Sequence, residues 1–193
     1  MALPTVAQAR LLSEELGGML RSCKPRSVAI IGSAGGNGLD QIDSGVTSRV
    51  VAVDIDPAYT TELERRFAKR LPGLEVYVAD IENTRLRIPS VEFVYAALVL
   101  EYVDLNTGLA WLKSICAPGA TMTTVTQRAS AVIASVTPSP FASLQTLAPA
   151  MRLVSSIALE ASAERLGFSL QSIREVRSLP GKNFSLHIFE SMR

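Results

Sequence analysis

Ile31-Gly32-Ser33-Ala34-Gly35-Gly36-Asn37-Gly38 stands directly behind Ser27-Val28-Ala29-Ile30-Ile31, a short apolar run with strand character. Glycines between a strand and a helix let the chain turn tightly. They also let a ligand approach the backbone where a Cβ would clash. A helix predicted from Asn37 to about Asp43 would present free N–H groups to an anion at its start. Taken alone, the run is a weak signal, and a tight turn with close strand–helix packing is the plainer alternative. The segments that follow decide between the two.

Arg49-Val50-Val51-Ala52-Val53 is a second short apolar run, and it ends in Asp54, 22 positions after Gly32. An acid at this point can accept hydrogen bonds from both ribose hydroxyls of a nucleotide; the plainer alternative is a solvated turn carboxylate. Asp56 precedes Pro57 and reads as the cap of the next helix. A third strand, Leu74 to Ala79, ends in Asp80, which can accept from the exocyclic amine of adenine or cap the following turn. Ile55 and Ile81 follow the two acids, placed to sandwich the faces of a purine. Three consecutive strand ends thus carry Gly, Asp and Asp. Ligands of open α/β sheets bind outside the carboxyl ends of the strands, so the three converge.

The remaining elements fit the same rhythm. Thr5 to Ser22 is helical in pattern, with Thr5 as N-cap and Leu12, Leu16, Met19 and Leu20 on one face, and Lys24-Pro25 stops it. Pro57 opens a helix in which Tyr59, Leu63, Phe67 and Leu71 repeat every four residues until Pro72-Gly73. Val91 to Ala97 is a fourth strand. A helix capped by Asp104 or Asn106 follows, with Leu105, Leu109, Leu112 and Ile115 in one stripe, and Ala120 to Thr126 is a fifth strand. The stretch 127–150 is rich in Ala, Ser, Thr and Pro. A helix from about Met151 to Leu166 is predicted next, with Val154, Ile157, Ala158 and Ala161 inward and Gly167 at its C-terminus. Phe168 to Val176 and Asn183 to Ser191 close the chain as two strands joined by Pro180-Gly181. Strands alternating with helices argue for a parallel sheet covered on both faces. The expected fold is an α/β three-layer sandwich with a mostly parallel seven-stranded sheet and an antiparallel C-terminal hairpin. It forms a single domain over residues 1–193, with an N-terminal helix within 1–24 and an inserted lid or interaction segment at 127–150.

Composition narrows the function. The 193 residues are 48% hydrophobic and 19% charged, a globular balance. A net charge of +1 provides no basic field for nucleic acid or anionic lipid. The longest apolar run, Phe93 to Leu100, falls well short of the ~20 residues a membrane helix needs. Gln8, Arg10, Ser13, Glu14 and Glu15 interrupt the opening apolar positions, so no targeting signal is read there. Cys23 and Cys116 have neither metal-type spacing nor a disulfide framework. The expectation is a cytoplasmic protein with no metal, no nucleic-acid partner and no membrane span.

With these elements in place, the sequence resembles the class I (Rossmann-like) S-adenosylmethionine-dependent methyltransferases, most of all the small-molecule type. Residues 31–38 look like the family's glycine loop, Val53-Asp54-Ile55-Asp56-Pro57 like its ribose segment, and Val78-Ala79-Asp80-Ile81 like its adenine segment. Ala97 to Asp104 looks like the segment after strand four, and Cys116-Ala117-Pro118-Gly119 matches a Pro-Gly turn before strand five. The resemblance implies S-adenosylmethionine as cofactor, held by Gly32, Ser33, Ala34, Gly36, Asp54, Ile55, Asp80, Ile81 and Ala97. It also implies a small-molecule methyl acceptor. The sequence departs from the family pattern in having Ile30 where an acid is frequent, Ala34 in place of the second glycine, and Glu101-Tyr102 in place of two histidines.

The implied reaction is an in-line displacement at a methyl group on a cationic sulfur. The leaving group is already activated by its charge, so positioning and desolvation carry most of the catalysis, up to roughly 7–11 kcal/mol in ideal cases. Glu101 and Tyr102, just past strand four, are the candidate catalytic or acceptor contacts. His187 alternates with Ser185 and Phe189 and reads as a hydrogen-bonded core histidine. No Asn/Asp-Pro-Pro-aromatic run is present, which disfavours DNA bases as acceptors. Two other functions fit parts of the pattern: a nicotinamide-dependent oxidoreductase, and a non-catalytic methyltransferase-like protein that binds the cofactor or a partner. A homodimer stays open.

Overall fold

The computed structural model describes residues 4–83, 85–128, 151–177 and 182–193. Seven strands form one sheet: β1 (Ser27–Ile31), β2 (Arg49–Asp54), β3 (Leu74–Val78), β4 (Val91–Ala97), β5 (Cys116–Gln127), β6 (Phe168–Arg177) and β7 (Asn183–Ser191). Their spatial order is β3-β2-β1-β4-β5-β7-β6. β1 to β5 run parallel, while β7 inserts antiparallel between β5 and β6. The expected seven-stranded α/β sheet with its antiparallel hairpin is what the chain forms. All five parallel strands therefore end on one edge, β1 and β4 side by side at its middle.

The helices α1 (Pro4–Cys23), α2 (Pro57–Phe67), α3 (Leu105–Ile115) and α4 (Ser156–Arg165) divide between the two faces. Alternation along β1 feeds both: Val28 and Ile30 pack with Leu12 and Leu16 of α1 and Leu63 and Phe67 of α2. Ala29 and Ile31 pack on the other side with Leu109 and Leu112 of α3 and Leu159 and Ala163 of α4. The central strands are buried on both faces, whereas β6, at the sheet edge, is mostly exposed. Asp56 caps α2 by accepting the amide of Ala58 at 2.8 Å, and Asp104 caps α3 by accepting that of Thr107 at 2.9 Å.

Four expectations need correction. The helix predicted from Asn37 to Asp43 is only a 3-10 turn, Leu39–Gln41. Gly36 and Gly38 adopt φ of +92 and +86, a left-handed backbone that no α-helix continues through. Helix α1 begins at Pro4, so Thr5 lies inside it rather than capping it. α4 is shorter than predicted, because the amide of Arg152 donates to the carbonyl of Glu101 at 2.8 Å and draws residues 151–155 out of the helix. Its buried face is also different: Leu159, Ser162 and Ala163 meet the sheet, and Ile157 is 80% exposed. The small Ser162 and Ala163 let the helix approach closely, and the stripe continued by Leu166 at i+7 wins over the one through Ile157. The Pro180-Gly181 turn and nearly all of the 127–150 insert lie outside the described residues.

Candidate cofactor and acceptor site

The glycine loop is tied to the end of β2. The amides of Gly32 and Ser33 both donate to the carbonyl of Val53, at 2.9 and 3.2 Å. The amide of Ala34 donates to Oδ2 of Asp54 at 2.7 Å, and Oδ1 of Asp54 accepts the amide of Asp56 at 3.0 Å. Asp54 is buried, so it is not a solvated turn acid. β3 joins the same edge, since the amide of Ala79 donates to the carbonyl of Asp54 at 2.9 Å. Asp80 lies one residue further on, with Oδ1 accepting from the amide of Glu82 and Oδ2 from the side-chain amide of Asn83. Gly32, Ser33, Ala34, Gly36, Asp54 and Asp80 are thus brought together.

Two loop glycines answer to packing within the protein. A Cβ on Gly32 would come within 2.3 Å of Val99 Cγ2, and one on Gly36 within 2.5 Å of Phe67 Cε2. Ala34 holds a left-handed φ of 44 with its Cβ in place. Arg66 of α2 donates to the carbonyl of Gly35 and so fastens the far side of the loop. The sequence reading missed Val99 and Arg66; the four-residue repeat of α2 marks only its apolar side.

The two isoleucines part company. Ile55 is 64% exposed beside Asp54, while Ile81 is buried in the core next to Ile88, so the side chains do not form the two jaws expected around a purine. Ala97 ends β4 and leads into Leu98, whose φ is 58 and whose amide donates to the carbonyl of Val125. This turn delivers Glu101 and Tyr102 to the same edge as the glycine loop.

Glu101 is completely buried. Its Oε1 accepts the amide of Gln127, at the end of β5, at 2.7 Å, and its Oε2 has no hydrogen-bond partner. Burial pushes its pKa up to about 7, against the opposing pull of the Gln127 amide and then of its own backbone amide. Tyr102 is half-buried, and its phenol is shifted upward first by burial and then by the charge of Glu101. Ser33 Oγ, in the glycine loop, is likewise buried without a partner. His187 sits inside as expected, but it is not hydrogen-bonded. Nε2 lies 3.6 Å from Glu160 Oε1, an ion-pair contact only when the ring is protonated, neither ring nitrogen has a hydrogen-bond partner among the described residues, and burial lowers the pKa more than Glu160 raises it.

The parallel strands β1, β2 and β3 thus lead into a glycine loop and two acids on one side of an open sheet, the side on which α/β proteins of this kind bind ligands. Residues 30–124, about half of the chain, match the methyltransferase domain family. That segment carries a methyltransferase domain, of the family that uses S-adenosylmethionine. Among solved structures, it is similar to the N-methyltransferase NodS from Bradyrhizobium japonicum WM9 in complex with S-adenosyl-L-homocysteine, at 16% identity and a TM-score of 0.70, over 96% of this chain and 85% of that one. It is also similar to geranyl diphosphate C-methyltransferase from Streptomyces coelicolor A3(2), at 15% identity and a TM-score of 0.72, over 93% and 77%. The [4+2]-cyclase SpnF matches at 9% identity and a TM-score of 0.71, over 94% and 80%. At these identities the likeness is one of fold. No curated protein is detectably similar in sequence.

The residues present fit that cofactor. Ser33 offers a buried hydroxyl without a partner in the loop, and Ile55 offers an exposed apolar surface beside the Asp54 carboxylate.

Proposed function

We propose that this chain transfers the methyl group of S-adenosylmethionine to a small-molecule acceptor. The observation that carries the reading is the convergence, on one sheet edge, of the 32–36 loop, Asp54 and Asp80 within the matched methyltransferase segment. In this reading Gly32, Ser33, Ala34, Gly36, Asp54, Ile55, Asp80 and Ala97 hold the cofactor, and Ile81 supports the adenine segment from the core. The cofactor supplies a methyl group on a charged, activated sulfur. Asp54 braces the loop while offering its remaining lone pairs to hydroxyl donors. Asp80 does the same for an amine donor next to it. Glu101 and Tyr102, across the edge from the two acids, border the acceptor.

The antiparallel β7, seated between β5 and β6, supports methyl transfer over the nicotinamide alternative, an architecture in which this hairpin has no role. The proposal includes a cytoplasmic setting, supported by the unpaired Cys23 and Cys116, and no nucleic-acid partner, supported by the net charge of +1. No described helix is long and apolar enough to cross a membrane. Calorimetric titration with S-adenosylhomocysteine and, separately, with NAD tests the reading. Binding of the former alone is expected; binding of NAD alone overturns it.

A further inference from the structure

Glu101 is the described carboxyl whose circumstances demand an explanation. A buried carboxyl with an unsatisfied oxygen is costly, because the desolvation of that oxygen is not offset by a hydrogen bond. Here one oxygen is fixed by the Gln127 amide at 2.7 Å, and the other has no hydrogen-bond partner among the described residues. The backbone around it is fixed as well: the carbonyl of Glu101 accepts the amide of Arg152 at 2.8 Å. Tyr102 follows on the same turn. Lys182 stands just before β7, its Nζ donating to Oε1 of Gln127 at 3.3 Å. Among the described residues no ion pair involves Glu101. The carboxyl is therefore held by one oxygen, with the other shielded from solvent and unpartnered among the described residues, just past the end of β4.

We propose that the free Oε2 of Glu101 takes the proton from the methyl acceptor, and that the acceptor is accordingly a protic nucleophile, a hydroxyl or an amine, rather than a thioether or a carbon lacking a removable proton. This rests on the methyltransferase reading above. In the step, the acceptor's lone pair forms the bond to the methyl carbon as the carbon–sulfur bond breaks. That electron pair passes to sulfur, which becomes neutral, and the proton on the acceptor oxygen or nitrogen passes to Oε2. Glu101 acts in its ionised form, so the rate rises with pH through the neutral range in which its burial places it. Tyr102 and Lys182 are the neighbouring titratable groups, the phenol shifted upward by burial and then by the charge of Glu101, the ammonium shifted downward by burial.

The test compares wild type with Glu101→Gln, which retains a carbonyl oxygen for the Gln127 amide. S-adenosylhomocysteine affinity is measured first, by calorimetry, and is expected to be equal in both proteins. The Glu101 carboxyl is then titrated by carbon-13 NMR, assigned by its absence in the variant. Methyl transfer from labelled S-adenosylmethionine is followed with a panel of phenols, alkylamines and thioethers. The expected result is turnover of phenols or amines, with an ascending pH limb that tracks the NMR titration. The Gln variant should lose that limb and at least about 100-fold in kcat. Turnover of thioethers alone, no turnover of any panel member despite cofactor binding, an unchanged rate in the variant, or a carboxyl titrating in the ordinary range each overturns the proposal. Failure of wild type to bind S-adenosylhomocysteine defeats the methyltransferase reading itself, a distinguishable outcome.

Discussion

The carboxylate of Asp54 accepts the amide of Ala34 at 2.7 Å, binding the end of β2 to the glycine loop 20 positions earlier in the chain. Its other oxygen accepts the amide of Asp56. An acid expected to serve a ligand thus also shapes the loop that the ligand would meet. The two roles are compatible, because each carboxylate oxygen has a second lone pair.

Asp54→Asn tests the brace. An asparagine has one carbonyl oxygen, so its amide nitrogen must face one of the two N–H donors. The expected cost is about 1.5–3 kcal/mol, the range for hydrogen bonds to a charged group. Asp54→Ala removes both acceptors and is expected to lower stability further and to weaken S-adenosylhomocysteine binding. Urea denaturation and calorimetry read the two effects separately. Unchanged stability in both variants contradicts the bracing role.

Ala34→Gly should raise stability. Ala34 occupies the left-handed region with φ 44, which costs an L-residue roughly 1–2 kcal/mol. Glycine removes that strain but adds conformational entropy to the unfolded chain, about 0.4–1 kcal/mol. The net expectation is a gain of about 0.5–1 kcal/mol by urea denaturation. A loss would mean that the methyl group makes packing contacts that outweigh the strain.

Strand positions are legible where β1, β2 and β4 are short, mostly apolar runs beside Gly, Pro or Asp, and where β7 alternates polar and apolar residues. The same holds for Asp56 and Asp104 as caps. The turn at Leu39–Gln41 reads as a helix because Asn37 to Asp43 has an acceptable pattern; what the pattern does not show is that Phe67 and Leu16 leave no room for a Cβ at Gly36 and Gly38, both in the left-handed region. The face of α4 was misread for a related reason: Ile157 and Leu159 both head plausible stripes, and the sheet beneath chooses between them. At the site, Glu101 was found from its place after strand four. The burial that isolates its Oε2 depends on Gln127, 26 positions later, a relationship that no local pattern encodes.

Gly36→Ala should be costly for two separable reasons. Its φ of +92 strains any side chain, by roughly 1–2 kcal/mol. Its Cβ would also meet the Phe67 ring at 2.5 Å, an overpacking worth about 1–3 kcal/mol. Combining it with Phe67→Ala removes the second cost and leaves the first. A double-mutant cycle in urea is therefore expected to show the pair less destabilised than the sum of the single variants, by at least about 1 kcal/mol. Simple additivity would place the whole penalty in the backbone.

Glu101 should leave a signature in the pH dependence of stability. Its folded-state pKa of about 7 lies above the 4.5 of an exposed glutamate because burial disfavours the charge. The folded protein therefore holds this proton more tightly than the unfolded chain does. The stabilisation from that linkage is fully present below about pH 4.5 and is lost as pH rises through about 7, a change of about 3 kcal/mol. Glu101→Gln stays neutral throughout. Plotted as the difference between variant and wild type, unfolding free energy should climb in favour of the variant from pH 5 to pH 8 and then level off, all other titrations cancelling. A flat difference would show that Glu101 is solvated in the folded protein, and with it would go the argument that Oε2 awaits a partner from outside the chain.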